Sequence, residues 1–336
     1  MSSPSFPIKS RITPVCGVQP QAAAQPCMQR IWLRPPLRFG LRQTADALVG
    51  PPKRAHESKL STMPQNIART IRGPIEYRLE GSGPAVVVLN GGHCSRKTRL
   101  SHEQLAQYGF SVLTPSRPGY DATPSDVGKS VQDAADALAA LLDTVQILNA
   151  DVIGISAAGP TALAFAQRHP GKIRKLILES AVTLPWEETV KKGARLLFGR
   201  AERVTWALTK AVLRLTPMTV IRVMMQELTT LDIDQVIQRM SQDDLQFVRR
   251  MIETMQSGTG FLSDLEHQVS DLGSIAVPVL AMYSPHDKSV PPRNAQRIAN
   301  EVPKSELYEV PSDSHLLWIG MHARLVWQKR LAFMHS

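Results

Sequence analysis

The chain has 336 residues, 43% of them hydrophobic and 20% charged, values that exclude a wholly disordered or fibrous protein. Lys and Arg number 39 against 29 Asp and Glu, a net +10 that would suggest nucleic acid or an anionic surface as partner if the folded body carried it. Three cysteines (Cys16, Cys27, Cys94) supply neither a disulfide framework nor a cysteine-built zinc site, and no apolar run reaches the roughly 18 residues that span a bilayer.

The charge is concentrated at the front. Residues 1–62 carry nine Lys/Arg against Asp46 and Glu57, a net +7, which leaves 30 minus 27, or +3, for the other 274 residues. The same stretch holds nine of the 25 prolines and lacks a repeating apolar face. It cannot bury enough surface to offset its ordering entropy, and reads as a disordered basic extension. Its Arg-rich, acid-poor composition is that of an organellar transit peptide, which implies import. The rival explanation is a misassigned start, with Met63 as the first residue and the cytoplasm as the compartment.

From Ile75 the pattern becomes regular. Ile75–Leu79 alternates like a strand and ends in the turn cluster Gly81-Ser-Gly-Pro84. Ala85–Leu89 is a continuous β-branched run, as in a strand covered on both faces. Phe110–Thr114, Val152–Ile155, Ile173–Leu178, Val277–Tyr283 and Glu306–Val310 repeat that type, with helical spacing over 130–146, 160–169, 293–301 and 315–334. Strand–helix alternation predicts an α/β fold on a mostly parallel central sheet flanked by helices. Residues 63–184 and 271–336 form this core.

Residues 185–270 interrupt the alternation and read as an inserted helical cap. Within it, 191–214 holds seven Lys/Arg against Glu202 alone, with Leu196, Leu197, Val204, Leu208, Val212 and Leu213 at helical intervals. A solvated basic face is the preferred reading, over weak membrane-surface association. Trp186, Leu197, Phe198, Trp206, Met224, Met225 and Phe247 indicate an apolar chamber.

The chemistry concentrates in Asp151-Val-Ile-Gly-Ile-Ser-Ala-Ala-Gly-Pro160, where a buried strand runs through Gly-x-Ser directly into a helix. Such a turn presents a serine hydroxyl above a helix N-terminus, which favours developing negative charge. Ser156 is therefore the candidate nucleophile. It needs a base and an orienting acid, in the chain order Ser, acid, His. Asp287 lies in the loop after Val277–Tyr283 and His315 in the loop after Glu306–Val310. Glu179 is the serious rival acid. His286, Asp313, His93 and His102 are weaker candidates, and Cys94 reads as a small buried side chain. Oxyanion donors are assigned to the backbone N–H groups of Gly92, in the glycine pair after Ala85–Leu89, and of Ala157.

These motifs carry a resemblance. With Leu89-Asn-Gly-Gly-His93, Pro115-Ser-Arg-Pro-Gly-Tyr120, Gly154-Ile-Ser-Ala-Ala-Gly159, His286-Asp287 and His315, the stretch from Gly73 to Ser336 resembles the α/β-hydrolase fold superfamily, closest to small bacterial enzymes of the esterase and epoxide-hydrolase type. The resemblance implies Ser156 as nucleophile, Asp287 as orienting acid, His315 as general base and 185–270 as the cap over the pocket. It departs at Asn90, where many relatives carry His, and at Ala158, where the pattern has Gly. A serine nucleophile argues against the aspartate-based chemistry of haloalkane dehalogenases and epoxide hydrolases. The expected activity is hydrolysis of a carboxylic ester or related acyl small molecule, with no cofactor, no metal and no nucleic-acid partner. Carbon–carbon bond, amide or thioester hydrolysis and acyl transfer use the same triad, and a low-turnover ligand-binding receptor is the alternative of another class.

Overall fold

The computed structural model describes residues 66–336. The expectations for residues 1–62, a disordered extension serving as transit peptide or arising from a misassigned start, lie outside the described residues. Eight strands are present among those described: β1 (Asn66–Thr70), β2 (Gly73–Glu80), β3 (Ala85–Leu89), β4 (Ser111–Pro115), β5 (Ala150–Ile155), β6 (Ile173–Glu179), β7 (Val279–Tyr283) and β8 (Ser305–Glu309). They form one sheet in the order β1-β2-β4-β3-β5-β6-β7-β8. The β1–β2 and β2–β4 pairs are antiparallel and the remaining pairs parallel.

β-branched side chains favour extended backbone, and successive residues of a strand point to opposite faces. Val87 and Leu89 accordingly join one core cluster while Val86 and Val88 join the other. The first cluster is covered by α1 (Val131–Thr144), α2 (Gly159–Arg168) and α9 (Arg293–Glu301), the second by α10 (Ala323–His335) and the turn around Leu105. Between β6 and β7 lie α3 (Glu188–Phe198), α4 (Glu202–Leu215), α5 (Pro217–Leu228), α6 (Ile233–Arg239), α7 (Gln242–Thr254) and α8 (Gly260–Asp264).

The pattern of strands and helices follows the sequence with two differences. β1 carries little apolar signal because only Ala68 of its five residues is buried. The helix expected over 315–334 begins only at Ala323: Leu316, Leu317, Trp318 and Ile319 are buried as a loop, and Gly320 at φ 77° turns the chain before the helix starts. The sheet order places β4 on one side of β3 and β5 on the other. The crevice at the carboxyl ends of β3 and β5 is where ligands bind in open α/β sheets.

Candidate active site

Ser156 follows β5 with φ 50°, a left-handed conformation that is strained for a residue with a side chain. Two neighbours permit the turn. A side chain on Gly159 would start 2.1 Å from the Val182 carbonyl oxygen, so only glycine fits there. Ala158, by contrast, sits at φ −83°, ψ −7°, ordinary right-handed backbone in which its methyl costs nothing. The Ser156 carbonyl accepts the Val182 N–H at 2.9 Å, tying the turn to the segment after β6.

His315 and Asp287 are joined. His315 Nδ1 lies 2.7 Å from Asp287 Oδ2, and both side chains are buried. A carboxylate only accepts, so Nδ1 carries a ring proton, and in the neutral ring Nε2 holds the lone pair. Asp287 Oδ1 accepts the Val290 N–H at 2.8 Å, and Ser180 Oγ donates to the His315 carbonyl at 3.0 Å. The three-residue segment Ser180–Val182 thus holds the main chain of both His315 and Ser156.

The rivals are occupied elsewhere. Glu179 accepts from Arg330 Nε at 2.9 Å and lies 2.8 Å from His102 Nε2. Burial alone would raise its pKa, but Arg330 and His102 outweigh it and hold the carboxyl down to about 2. Asp313 pairs with Arg239 at 3.3 Å. The buried Cys94 thiol is pushed up to about 12, far from a reactive thiolate. His93, at φ 61°, forms an aromatic wall, its ring centroid 3.9 Å from Phe261 and 4.4 Å from Phe198. Burial, reinforced by the Arg117 charge, lowers its pKa to about 3. Ser257 Oγ accepts the Trp206 indole N–H at 2.8 Å and lies 2.6 Å from His93 Nδ1, which ties the His93 ring to α4.

The glycine pair after β3 packs against the serine turn. A side chain on Gly91 would start 3.0 Å from Ser156 Cβ, and one on Gly92 would start 3.5 Å from Ala157 Cβ and 2.8 Å from Phe261. Asn90, the departure from the family pattern, is buried and donates through Nδ2 to the carbonyls of Ser95 (2.9 Å) and Thr98 (3.0 Å), which fastens the loop.

Two groups of residues have no assigned role in the sequence reading. Arg117 donates to the carbonyls of Asn90 (Nε, 2.9 Å) and Gly91 (Nη2, 3.1 Å). The C=O and N–H of a trans peptide point opposite ways, so this grip turns the Gly91 and Gly92 N–H groups away from the arginine. Arg117 is in turn paired with Asp264 of α8, which also accepts the Tyr120 hydroxyl at 2.6 Å. The motif Pro115–Tyr120 contains both partners, but their link to residue 264 is invisible without the fold. The second group is the connection from α5 to α6. The Leu228 carbonyl accepts the His315 N–H at 2.9 Å, Thr229 Oγ1 donates to the Asp313 carbonyl at 2.5 Å, and the Thr230 N–H donates to the His286 carbonyl at 3.0 Å. One stretch of the segment between β6 and β7 therefore grips the loops that carry Asp287 and His315. Among the described residues, no group of three or more His, Cys, Asp or Glu side chains is arranged to hold a metal ion.

An eight-stranded, mostly parallel sheet with a serine turn at its carboxyl edge defines a class, and the comparison with known families agrees. The alpha/beta hydrolase fold model matches residues 84–319, and the chain belongs to that family and is a hydrolase. The uncharacterized hydrolase YcgS of Bacillus subtilis is 33% identical over 272 residues, 79% of this chain and 96% of that protein. A 2-hydroxy-6-oxononadienedioate/2-hydroxy-6-oxononatrienedioate hydrolase of Burkholderia vietnamiensis is 25% identical over 244 residues, covering 70% of this chain and 82% of that one. Among solved structures, an alpha/beta hydrolase fold protein from Nakamurella multipartita superposes with a TM-score of 0.70 at 22% identity, covering 80% of this chain and 98% of its own.

Proposed function

We propose that this hydrolase cleaves a carboxylic ester or a related acyl compound through a covalent acyl-enzyme on Ser156. The observation that carries the reading is the buried 2.7 Å pair of His315 Nδ1 and Asp287, which fixes the tautomer whose Nε2 can accept a proton. His315 takes the Ser156 proton as the hydroxyl oxygen attacks the carbonyl carbon, and Asp287 stabilises the resulting imidazolium. The N–H groups of Gly92 and Ala157 receive the oxyanion, and His315 passes the proton to the leaving alkoxide. Water, deprotonated by His315, then attacks the acyl-enzyme and releases the acid and Ser156. Residues 185–270 act as the cap that shapes the acyl pocket.

The Ser156→Ala variant is expected to lose at least about 10⁴-fold in kcat on a p-nitrophenyl ester, with its thermal unfolding unchanged. Turnover retained by that variant would refute the assignment. The Burkholderia vietnamiensis relative supports a second substrate class, 2-hydroxy-6-oxo dienoic acids, whose 6-oxo carbonyl presents the same target. Turnover of such an acid with no ester turnover would select it.

A further inference from the structure

The outer cap helices carry apolar side chains on two opposite faces, and one of those faces is uncovered. In α4, Trp206 and Leu213 are packed into the core at 6% and 1% exposure. On the other side Val204, Ala207, Leu208, Ala211, Val212 and Leu215 fall within an arc of about 140° at 100° per residue. All six are exposed, Leu208 at 61% and Leu215 at 82%. Leu196 and Leu197 of α3 add to the surface, so the placing of Leu197 in the inner chamber does not hold. A side chain buried in a chamber and one half open to water are different environments, and periodicity alone cannot tell which apolar stripe of a two-sided helix turns inward.

Cations border this stripe. Arg203, Lys210 and Arg214 lie along one edge of α4, with Lys192 and Arg200 nearby. Among the described residues no ion pair engages Lys192, Arg200, Arg203 or Arg214, whereas Lys191 and Arg195 are both held by Glu266. We propose that the α3–α4 face docks on an anionic lipid surface, with the apolar stripe at the acyl boundary and the free cations at headgroup phosphates. A second copy of the chain fits poorly, because a two-fold contact through α4 would set Arg203 and Arg214 against the same cations. Residues 1–62 fit no better as a cover, since they carry a net +7 themselves. The proposal concerns binding and does not depend on the acyl chemistry.

The test is flotation of the full chain with vesicles of phosphatidylcholine alone and of phosphatidylcholine mixed with phosphatidylglycerol. The chain is expected to float with the anionic vesicles only, and to be released by salt. The double variant Leu208→Glu/Leu215→Glu should float at least tenfold less while keeping its thermal unfolding, since both side chains stand in water. Arg203→Glu/Arg214→Glu, a second variant that leaves the apolar stripe intact, should bind more weakly by roughly fivefold or more per cation removed. Absence of flotation, or flotation unchanged by Leu208→Glu/Leu215→Glu, overturns the proposal. Light scattering that finds a dimer split by Leu208→Glu also overturns it, in favour of a second copy.

Discussion

At the scale of single residues, three side chains outside the proposed triad decide what the site can do. Arg117 grips two carbonyls of the glycine loop and is itself held by Asp264, so in the proposed mechanism it is a positioning residue for the Gly92 N–H. Asp264→Asn weakens that hold without removing the arginine. It is expected to lower kcat on a p-nitrophenyl ester about tenfold with little change in KM, and to lower thermal stability because a buried cation loses its partner. Arg117→Lys keeps the charge but not the fork, and should show the same split. An equal fall in kcat/KM through KM alone would place the pair in substrate binding instead. His93 makes a separate prediction. Its folded pKa, about 3, lies below the unfolded value of 6.5, so the unfolded chain binds a proton first as pH falls. Stability from this group is complete above pH 6.5 and lost as pH drops toward 3, with a slope of up to about 1.4 kcal/mol per pH unit. Urea unfolding at pH 7, 6 and 5 should therefore show a shallower decline in His93→Phe than in the parent chain.

At the scale of elements, the strand-to-helix turn and the loops after β7 and β8 were legible because each has a local cause. The run into Gly154 and Ser156, the small Ala158 and Gly159, and the apolar strand before Asp287 are all patterns within ten residues of their consequence. The connection from α5 to α6 was not legible. Leu228, Thr229 and Thr230 look like the fraying end of a helix, and their partners His286, Asp313 and His315 lie more than 50 residues away. The start of α10 is hidden from the sequence for a related reason: the apolar residues 316–319 are buried by tertiary contacts and not by a helical face. Thr229 tests whether the connection matters. Thr229→Val removes the hydroxyl that bonds the partly buried Asp313 carbonyl, at a cost of about 1 kcal/mol in stability. Because Asp313 is two residues from His315, kcat should fall several-fold, and Thr229→Ser should restore both values. Stability lost with kcat intact would confine the connection to folding.

At the scale of the molecule, the charge divides among three places. The extension outside the described residues carries +7, residues 191–214 carry +6, and the rest of the chain from residue 63 carries +3 minus 6, or −3. A basic protein by composition thus has, from residue 63 onward, one basic helical segment in an otherwise mildly acidic chain. No helix among the described residues is long and apolar enough to cross a membrane. The body is stapled from strand to terminal helix by Glu179, Arg330 and His102, which explains why an acid at the end of β6 can be fully buried without serving the histidine of the site. The proposed mechanism converges on one activated hydroxyl, that of Ser156. Treatment of the folded chain with a fluorophosphonate, followed by peptide mass spectrometry, tests that directly. A single adduct on Ser156, absent in Ser156→Ala and strongly slowed in His315→Ala, is the result predicted here. An adduct on another residue, or no adduct under conditions where the parent chain turns over an ester, would contradict it.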